Sequence, residues 1–311
     1  MSMYMDDISR FNSYSEYLNK KYSKKAFRVA VDGGFSCPNR KDRNSPGCIY
    51  CDVNGARATY LDKTVEIKEQ IARGIAFLRK RYSAEIFLLY FQAFSGTFEK
   101  PEHLKEIWDY ALSLENFREL IISTRPDCID ETKAAIIASY RKEDFDVWVE
   151  IGLQSSNNET LKRINRGHSR EDFEKAFYIL REKGIKIVPH LIFGLPGEKF
   201  DDMMASVKYI ASLKPEGVKF HNLHAVAGTE LGKQYQKGEI TVPSLEEHVK
   251  YLASAIEFLP PETVIMRLTC DTPYKKRLAP KNDLTKTEVI TLLKEELAKR
   301  EGFQGKFYLS V

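Results

Sequence analysis

Three of the chain's five cysteines fall within fifteen positions, at Cys37, Cys48 and Cys51, in the Gly-, Pro- and Asn-rich stretch "GGFSCPNRKDRNSPGCIYCDVNG" (33–55). Thiolates are soft ligands that suit zinc or iron–sulfur and disfavour Mg, Ca or Mn. A closed structural zinc site takes four ligands; no fourth stands close by, and Cys128 and Cys270 are only distant candidates to complete it. An iron–sulfur cluster held by three thiolates leaves one iron open to a substrate or cofactor, unlike the four-thiolate clusters of electron carriers. Three unliganded thiols in one exposed loop would be an oxidation liability. The spacing alone leaves both metals in play.

The elements that must position these thiols belong to an ordinary globular chain of 311 residues, 43% hydrophobic, long enough for one large α/β domain or a domain with an extension. The opening "MSMYMDDISRFNSYSEYLNK" has no apolar core, and no run approaches eighteen apolar residues, so neither secretion nor membrane spanning is expected. The default is the cytoplasm, where clustered cysteines bind metal or do redox chemistry, and an odd total of five agrees. The net charge of +4 is too small to define a nucleic-acid binder. Basic runs recur nonetheless in "NKKYSKKAFR", "FLRKRYS", "LKRINRGHSR" and "YKKRLAPKN", and gathered on one face they would track phosphates.

Six runs rich in β-branched and aromatic residues read as buried strands: 26–31, 85–92, 120–124, 147–154, 185–193 and 217–224. Amphipathic helical segments lie between them at 65–81, 102–114, 131–141, 170–183 and 201–213. That alternation predicts a parallel sheet wound as a partial (β/α)6 TIM-type barrel, with its site in the loops after the strands. The cysteine loop follows the first strand; "QAFSGT", beginning at Gln92, follows the second, and "STRPD", "EIGLQSS", "FGLPGE" and "HNLHAVAGT" follow the others. After strand six come the helix "EEHVKYLASAIEFL", the strand "PPETVIMRLT" and a helix at about 286–300. The expected division is therefore a basic N-terminal segment (1–25), the barrel (26–228) and a C-terminal α/β extension over its open side (229–311).

With the cysteine loop, the aromatic Tyr50 inside "CIYC" and their place after the first strand, the sequence resembles the radical S-adenosylmethionine (SAM) superfamily. The usual spacing there is C-x3-C-x-aromatic-C; here the first gap is ten, as in the branch containing the catalytic subunit of Elongator. The strings "GGFSCPNR", "YFQAFSGTF", "STRPDC", "EIGLQS", "LKRINRGH" and "HLIFGLPGE" resemble the YhcC/YtqA-type (MnmL-like) proteins over roughly 20–282.

The resemblance implies a [4Fe-4S] cluster on Cys37, Cys48 and Cys51, with SAM on the fourth iron and reductively cleaved to a 5'-deoxyadenosyl radical. For some members it implies tRNA wobble-uridine modification, carboxymethylaminomethyl to aminomethyl uridine, with an electron donor such as flavodoxin or ferredoxin. It further implies cofactor contacts from Tyr50, from Ser95 and Thr97 to SAM's amino group, from Arg166 to its carboxylate, and from the Gly194-Leu195-Pro196-Gly197 loop to adenine. Glu150 and Gln154 share one face of strand four and, with Ser155, stand where ribose or substrate contacts are made. Gln92, Arg125, Asp127, His221, His224, Arg267 and Cys270 are candidates for catalysis or substrate contact. His190 reads as a core histidine, Cys128 as a small buried hydrophobe, and Lys275, Lys276 and Arg277 as part of a basic rim. Where the family has a tryptophan after "LAP", this chain has Lys281 and Asn282. A small-molecule or protein substrate is the alternative within radical chemistry; a zinc-stabilised binding protein is the alternative outside it.

Overall fold

The computed structural model of the chain describes residues 10–42, 44–52, 66–270, 272–281 and 284–308. Residues 1–9 of the expected basic segment, 53–55 of the cysteine-bearing stretch, position 65 of the first expected helix and Asn282 lie outside them. No helix among the described residues is long and apolar enough to cross a membrane.

Strands β1 (Ala26–Val31), β2 (Ile86–Phe91), β3 (Glu119–Thr124), β4 (Asp146–Gln154), β5 (Lys186–Phe193) and β6 (Gly217–Asn222) form a parallel sheet in chain order. A short β7 (Ala225–Val226) follows, and β8 (Val264–Arg267) then joins the sheet beside β6 as its seventh strand. The strand expected in the C-terminal extension thus completes the curled half-barrel. The sixth strand stops two residues short of its expected end: Leu223 N–H turns to Phe193 O, and the Asn222 side chain accepts from Cys270 N–H at 2.8 Å. Beyond it, β7 pairs antiparallel with β9 (Arg277–Ala279).

Alternation along each strand separates two layers. From β4, Val149, Ile151 and Leu153 point outward into the main core, against helices α2 (Ile67–Tyr82), α3 (Pro101–Ser113), α4 (Glu131–Ser139), α6 (Arg170–Glu182) and α7 (Phe200–Ser212); the short α5 (Asn158–Arg163) lies in the loop after β4. The helices form because apolar side chains recur at helical spacing, as in Ile67, Ile71, Ile75 and Leu78 of α2. Capping boxes start α6 (Ser169, Asp172), α9 (Leu245–Phe258; Ser244, Glu247) and α10 (Lys286–Lys299; Thr285, Glu288), while α8 (Glu230–Gln236) begins at Thr229. Helices α9 and α10 pack on each other, with α9 on α7 and β6, extending the outer layer.

The inward layer differs. Its lower part is apolar, with Ala26, Leu88, Ile121, Trp148 and Val188, and is plugged by α1 (Tyr14–Tyr22) through Leu18, Tyr14, Tyr17 and Tyr22. The helix of the expected basic N-terminal segment therefore closes the end opposite the cysteines. Its Lys21 is bound to Glu119 and Asp146, the first residues of β3 and β4.

Candidate active site

The loop after β1 returns over the sheet and is tied down by its two apolar residues. Ile49 donates its N–H to Ile164 O at 3.1 Å and accepts from Leu231 N–H at 2.8 Å. Ile49 and Tyr50 also pack against Leu161, Ile164, Leu195, Leu223 and Leu231. The residues between Cys48 and Cys51 therefore anchor the loop, and the sulfurs of Cys37, Cys48 and Cys51 face one cavity of about 150 Å3 at the carboxyl ends of the strands.

Three guanidinium groups surround those thiols. Arg166 Nη1 lies 3.6 Å from Cys48 Sγ, while its Nη2 donates to Gly152 O at 2.7 Å and its Nε to His168 Nε2 at 2.9 Å. His168 then carries its proton on Nδ1, toward Ser169 O at 3.1 Å, and burial together with Arg166 lowers its pKa to about 3. Gly152 is a steric requirement, because a Cβ there would sit 2.5 Å from Arg166 Nη2 and Gln154 Nε2. Arg40 Nη2 donates to Cys51 Sγ at 3.0 Å and to Asp52 O at 2.8 Å. Arg125 grips Asp127 through Nε and Nη2 at 2.9 and 2.8 Å, leaving its buried Nη1 without a hydrogen bond.

These charges divide the thiols. Burial pushes the Cys48 thiol up, but Arg166 and then Arg125 outweigh it and hold the group below the ordinary thiol range. At Cys51 burial prevails over Arg40 and the pKa is raised. Cys128 is pushed up to about 11 by burial and stays a thiol. The Tyr50 hydroxyl is buried without a hydrogen bond.

Below the cavity, inside the half-barrel, Glu150 gathers three donors and an imidazole. Arg28 Nη1 reaches its Oε1 at 2.8 Å, and Lys219 Nζ and Tyr90 Oη reach its Oε2 at 2.5 and 2.7 Å. His190 Nε2 lies 3.3 Å from the same oxygen without the alignment of a hydrogen bond. Burial raises the Glu150 pKa, yet Lys219 and Arg28 hold it well below the carboxylate norm. Burial pushes Lys219 down.

The structure brings Gln92, Gln154, Tyr50, Arg125 and Arg166 to the cysteine cavity, with His190 among its lining residues. Glu150 faces the same interior one layer lower. Ser95 and Thr97 are fully buried; both hydroxyls bond Thr124 Oγ1, at 2.9 and 2.6 Å, and fix the turns after β2 and β3. Ser155 donates to Glu198, which burial raises to about 7. Gly194, Leu195, Pro196 and Gly197 line a separate cavity of about 530 Å3 on the outer side, toward Pro243. His221 lies beside His190 with centroids 5.3 Å apart and the rings tilted by 45°, and Arg267 pairs in register with Lys219. His224 meets Asn222 at 2.8 Å, and Cys270 Sγ lies 3.7 Å from Thr272 Oγ1. Sequence reasoning missed Arg40, His168, Arg28 and Lys219. A single charge inside an apolar strand run, as in "AFRVAV" and "GVKFHN", was the available signal for the last two.

The donor set fits an iron–sulfur cluster: three thiols on one cavity wall, one held toward thiolate, with guanidiniums to balance added negative charge. Among the described residues no three His, Cys, Asp or Glu side chains are gathered as ligands of a single metal ion. The family model "Radical SAM superfamily" matches residues 36–210, and "Radical_SAM C-terminal domain" matches 215–299. YtqA of Bacillus subtilis is 32% identical over 98% of this chain and 95% of its own length. A tRNA uridine(34) acetyltransferase of Methanocaldococcus infernus is 31% identical over 50% of this chain and 29% of its own. The solved structure of the archaeal M. infernus Elp3 with an N-terminal deletion superposes with a TM-score of 0.71 at 21% identity, covering 90% of this chain and 64% of that one, which establishes the shared fold.

Proposed function

Because the chain belongs to the radical SAM superfamily and is a radical SAM enzyme, we propose that it modifies the wobble uridine of tRNA, converting carboxymethylaminomethyl to aminomethyl uridine. The observation that carries the reading is the cysteine cavity itself: Cys37, Cys48 and Cys51 on one wall, Arg166 and Arg125 against Cys48, and strand-end residues around the rest.

In this reading the three cysteines hold a [4Fe-4S] cluster, and the bound cluster and SAM supply one-electron cleavage of the sulfonium and hydrogen abstraction from the substrate. The chain's own residues bind and orient. Arg166 is fixed on two sides by Gly152 O and His168 and presents Nη1 to the cavity for a carboxylate. Gln92 and Gln154 offer amides to ribose or substrate. The buried Arg125 Nη1 and Tyr50 Oη are donors held ready for a ligand. Tyr50, Ile49 and Leu195 keep water from that side of the loop.

RNA is supported by the tRNA uridine(34) acetyltransferase relative and by the turn at 274–277. There Lys276 Nζ binds Asp52 at 2.8 Å, next to Cys51, and so places Lys275, Arg277 and the exposed Tyr274 at the mouth. An electron donor of the flavodoxin or ferredoxin type completes the scheme.

The test is anaerobic. Protein reconstituted with iron and sulfide is given dithionite, SAM and tRNA from cells lacking the gene; 5'-deoxyadenosine and the wobble nucleoside's mass are followed, with Cys48→Ala as control. SAM cleavage with loss of the carboxymethyl group is expected. SAM cleavage with unchanged tRNA would remove the tRNA reading and leave radical chemistry on a small molecule or protein.

A further inference from the structure

We propose that the interior of the half-barrel beneath the cysteine cavity is an oxyanion site, with Arg267 as its uncommitted cation and His190 and His221 beside it, and that it takes the substrate's carboxylate. Arg28 and Lys219 pair with Glu150 in this interior, and Arg267 acts electrostatically on Lys219, His190 and His221 there; Glu150 is the carboxylate bound by Arg28 and Lys219 among the described residues. Its two oxygens are already used by Arg28, Tyr90 and Lys219. Arg267, partly exposed and next to Lys219 in the strand register, has no ion pair or hydrogen bond among the described residues.

Arg28 and Lys219 set two largely buried positive charges against the one carboxylate of Glu150, and an anion bound beside them relieves the excess. The adjoining walls agree. His221 Nε2 is buried with no hydrogen-bond partner, and His190, 5.3 Å away ring to ring, also lines the cysteine cavity. The two imidazoles therefore run from the place of chemistry to the guanidinium. The rest of the wall, Tyr14, Tyr90 and Met266, is aromatic or apolar. One fork-shaped donor beside neutral ring nitrogens and an aromatic and apolar surround suits a small organic acid and not a polyanion.

The identity of that acid rests on the proposed function: the group held is the carboxylate of carboxymethylaminomethyl uridine, at the end of the side chain whose hydrogen is to be abstracted. The site gives the enzyme a means of distinguishing substrate from product, which lacks the carboxylate.

Anaerobically reconstituted protein is tested for binding of two tRNAs that differ only at the wobble position, one carboxymethylaminomethylated and one aminomethylated. Wild-type protein is expected to bind the first about 10-fold more tightly, as loss of one charged hydrogen-bonding group implies. Arg267→Gln is expected to bring the ratio to about one, and Arg267→Lys to restore part of it. In parallel, melting temperature is measured with N-benzylglycine or benzylamine; the acid is expected to stabilise wild-type protein and not R267Q, and the amine neither. An unchanged ratio in R267Q overturns the proposal, as does equal weakening of both tRNAs, which would assign Arg267 to a backbone phosphate. If neither tRNA binds but N-benzylglycine stabilises wild-type protein and not R267Q, the oxyanion site stands and the tRNA reading falls. Should R267Q fail to fold, His221→Asn is put through the same two measurements; a full ratio and a full melting shift in it overturn the site.

Discussion

The two ends of the half-barrel carry similar numbers of charges and use them in opposite ways. At the closed end Glu119 accepts from Lys21 at 2.6 Å and Tyr22 at 2.8 Å, and Asp146 binds Lys21 and, at 2.5 Å, Lys186. Two carboxylates meet two ammonium groups, and the chain neutralises itself. At the open end Arg40, Arg125 and Arg166 face three thiols and the carboxylate of Asp127, with Asp52 already taken by Lys276, and the buried atoms left over around the cavity are Arg125 Nη1, Tyr50 Oη and His190 Nε2. At the closed end the leftovers are one carboxylate oxygen, Glu119 Oε2, and two donors, Arg118 Nε and the indole N–H of Trp148. Charge that the chain satisfies by itself holds the fold; guanidiniums outnumbering their carboxylate partners at the strand ends mark where a ligand is received, the division expected of barrels of this kind.

The sharpest test of that contrast is Cys48→Ala. It should reduce 5'-deoxyadenosine formation in the reconstituted enzyme by at least about 10³-fold, with the cluster's visible absorbance, while melting of the metal-free protein changes by only about 1 kcal/mol. Arg166→Gln comes next, lowering kcat/KM for SAM by about 10²-fold through the loss of a charged, pre-positioned donor. At the other end the effect moves from kinetics to stability: Glu119→Gln leaves Lys21 less compensated and should cost about 2–3 kcal/mol in urea unfolding, with KM for SAM unchanged.

A smaller effect sits between the ends, at Glu198. Burial raises its folded pKa to about 7, above the ordinary 4.5, so the native state holds a proton that the unfolded chain has released. Stability from this group is present below pH 4.5 and is lost as pH rises toward 7, by about 3 kcal/mol. Glu198→Gln should flatten that decline in melts from pH 4.5 to 7.5. The opposite slope, from His190 and His248, both lowered to about 4 chiefly by burial, should persist in the variant, with stability falling as pH drops from 6.5 to 4. Least of all, Glu69→Gln breaks an exposed pair with Arg73 and should change stability by less than about 0.5 kcal/mol.

What was legible in the sequence follows from which physical signals are local. The strands announced themselves because a parallel sheet covered on its outer face demands apolar runs, and "VWVEIGLQ" and "IKIVPHLIF" could be little else. Sheet membership of Val264–Arg267 was not legible, since which edge a strand joins depends on β6 lying open there. The cysteines were legible by spacing. Arg40 was not: eleven residues separate it from Cys51, and nothing local says that the loop folds back to bring its guanidinium to that sulfur. "GLPGE" looked like a wall of the same cavity, yet Gly194, at φ +87°, turns the chain outward against Pro243, where a Cβ would come within 2.4 Å. The opening basic segment could not be placed from charge alone, because its Leu18 and tyrosines decide its position and its lysines follow.

The segment at 10–13 lies along β8: Ile265 N–H donates to Asn12 O at 2.8 Å, Asn12 N–H to Gln304 Oε1 at 2.8 Å, and Arg10 to Gly302 O at 3.1 Å. These contacts join positions more than 250 residues apart, so the loop-closure entropy of nearly the whole chain is met before they form. During synthesis the cysteine loop emerges early, while the strand and the clasp that complete the barrel emerge last. A nascent chain therefore carries its three thiols well before the strand and the clasp that complete the barrel can form.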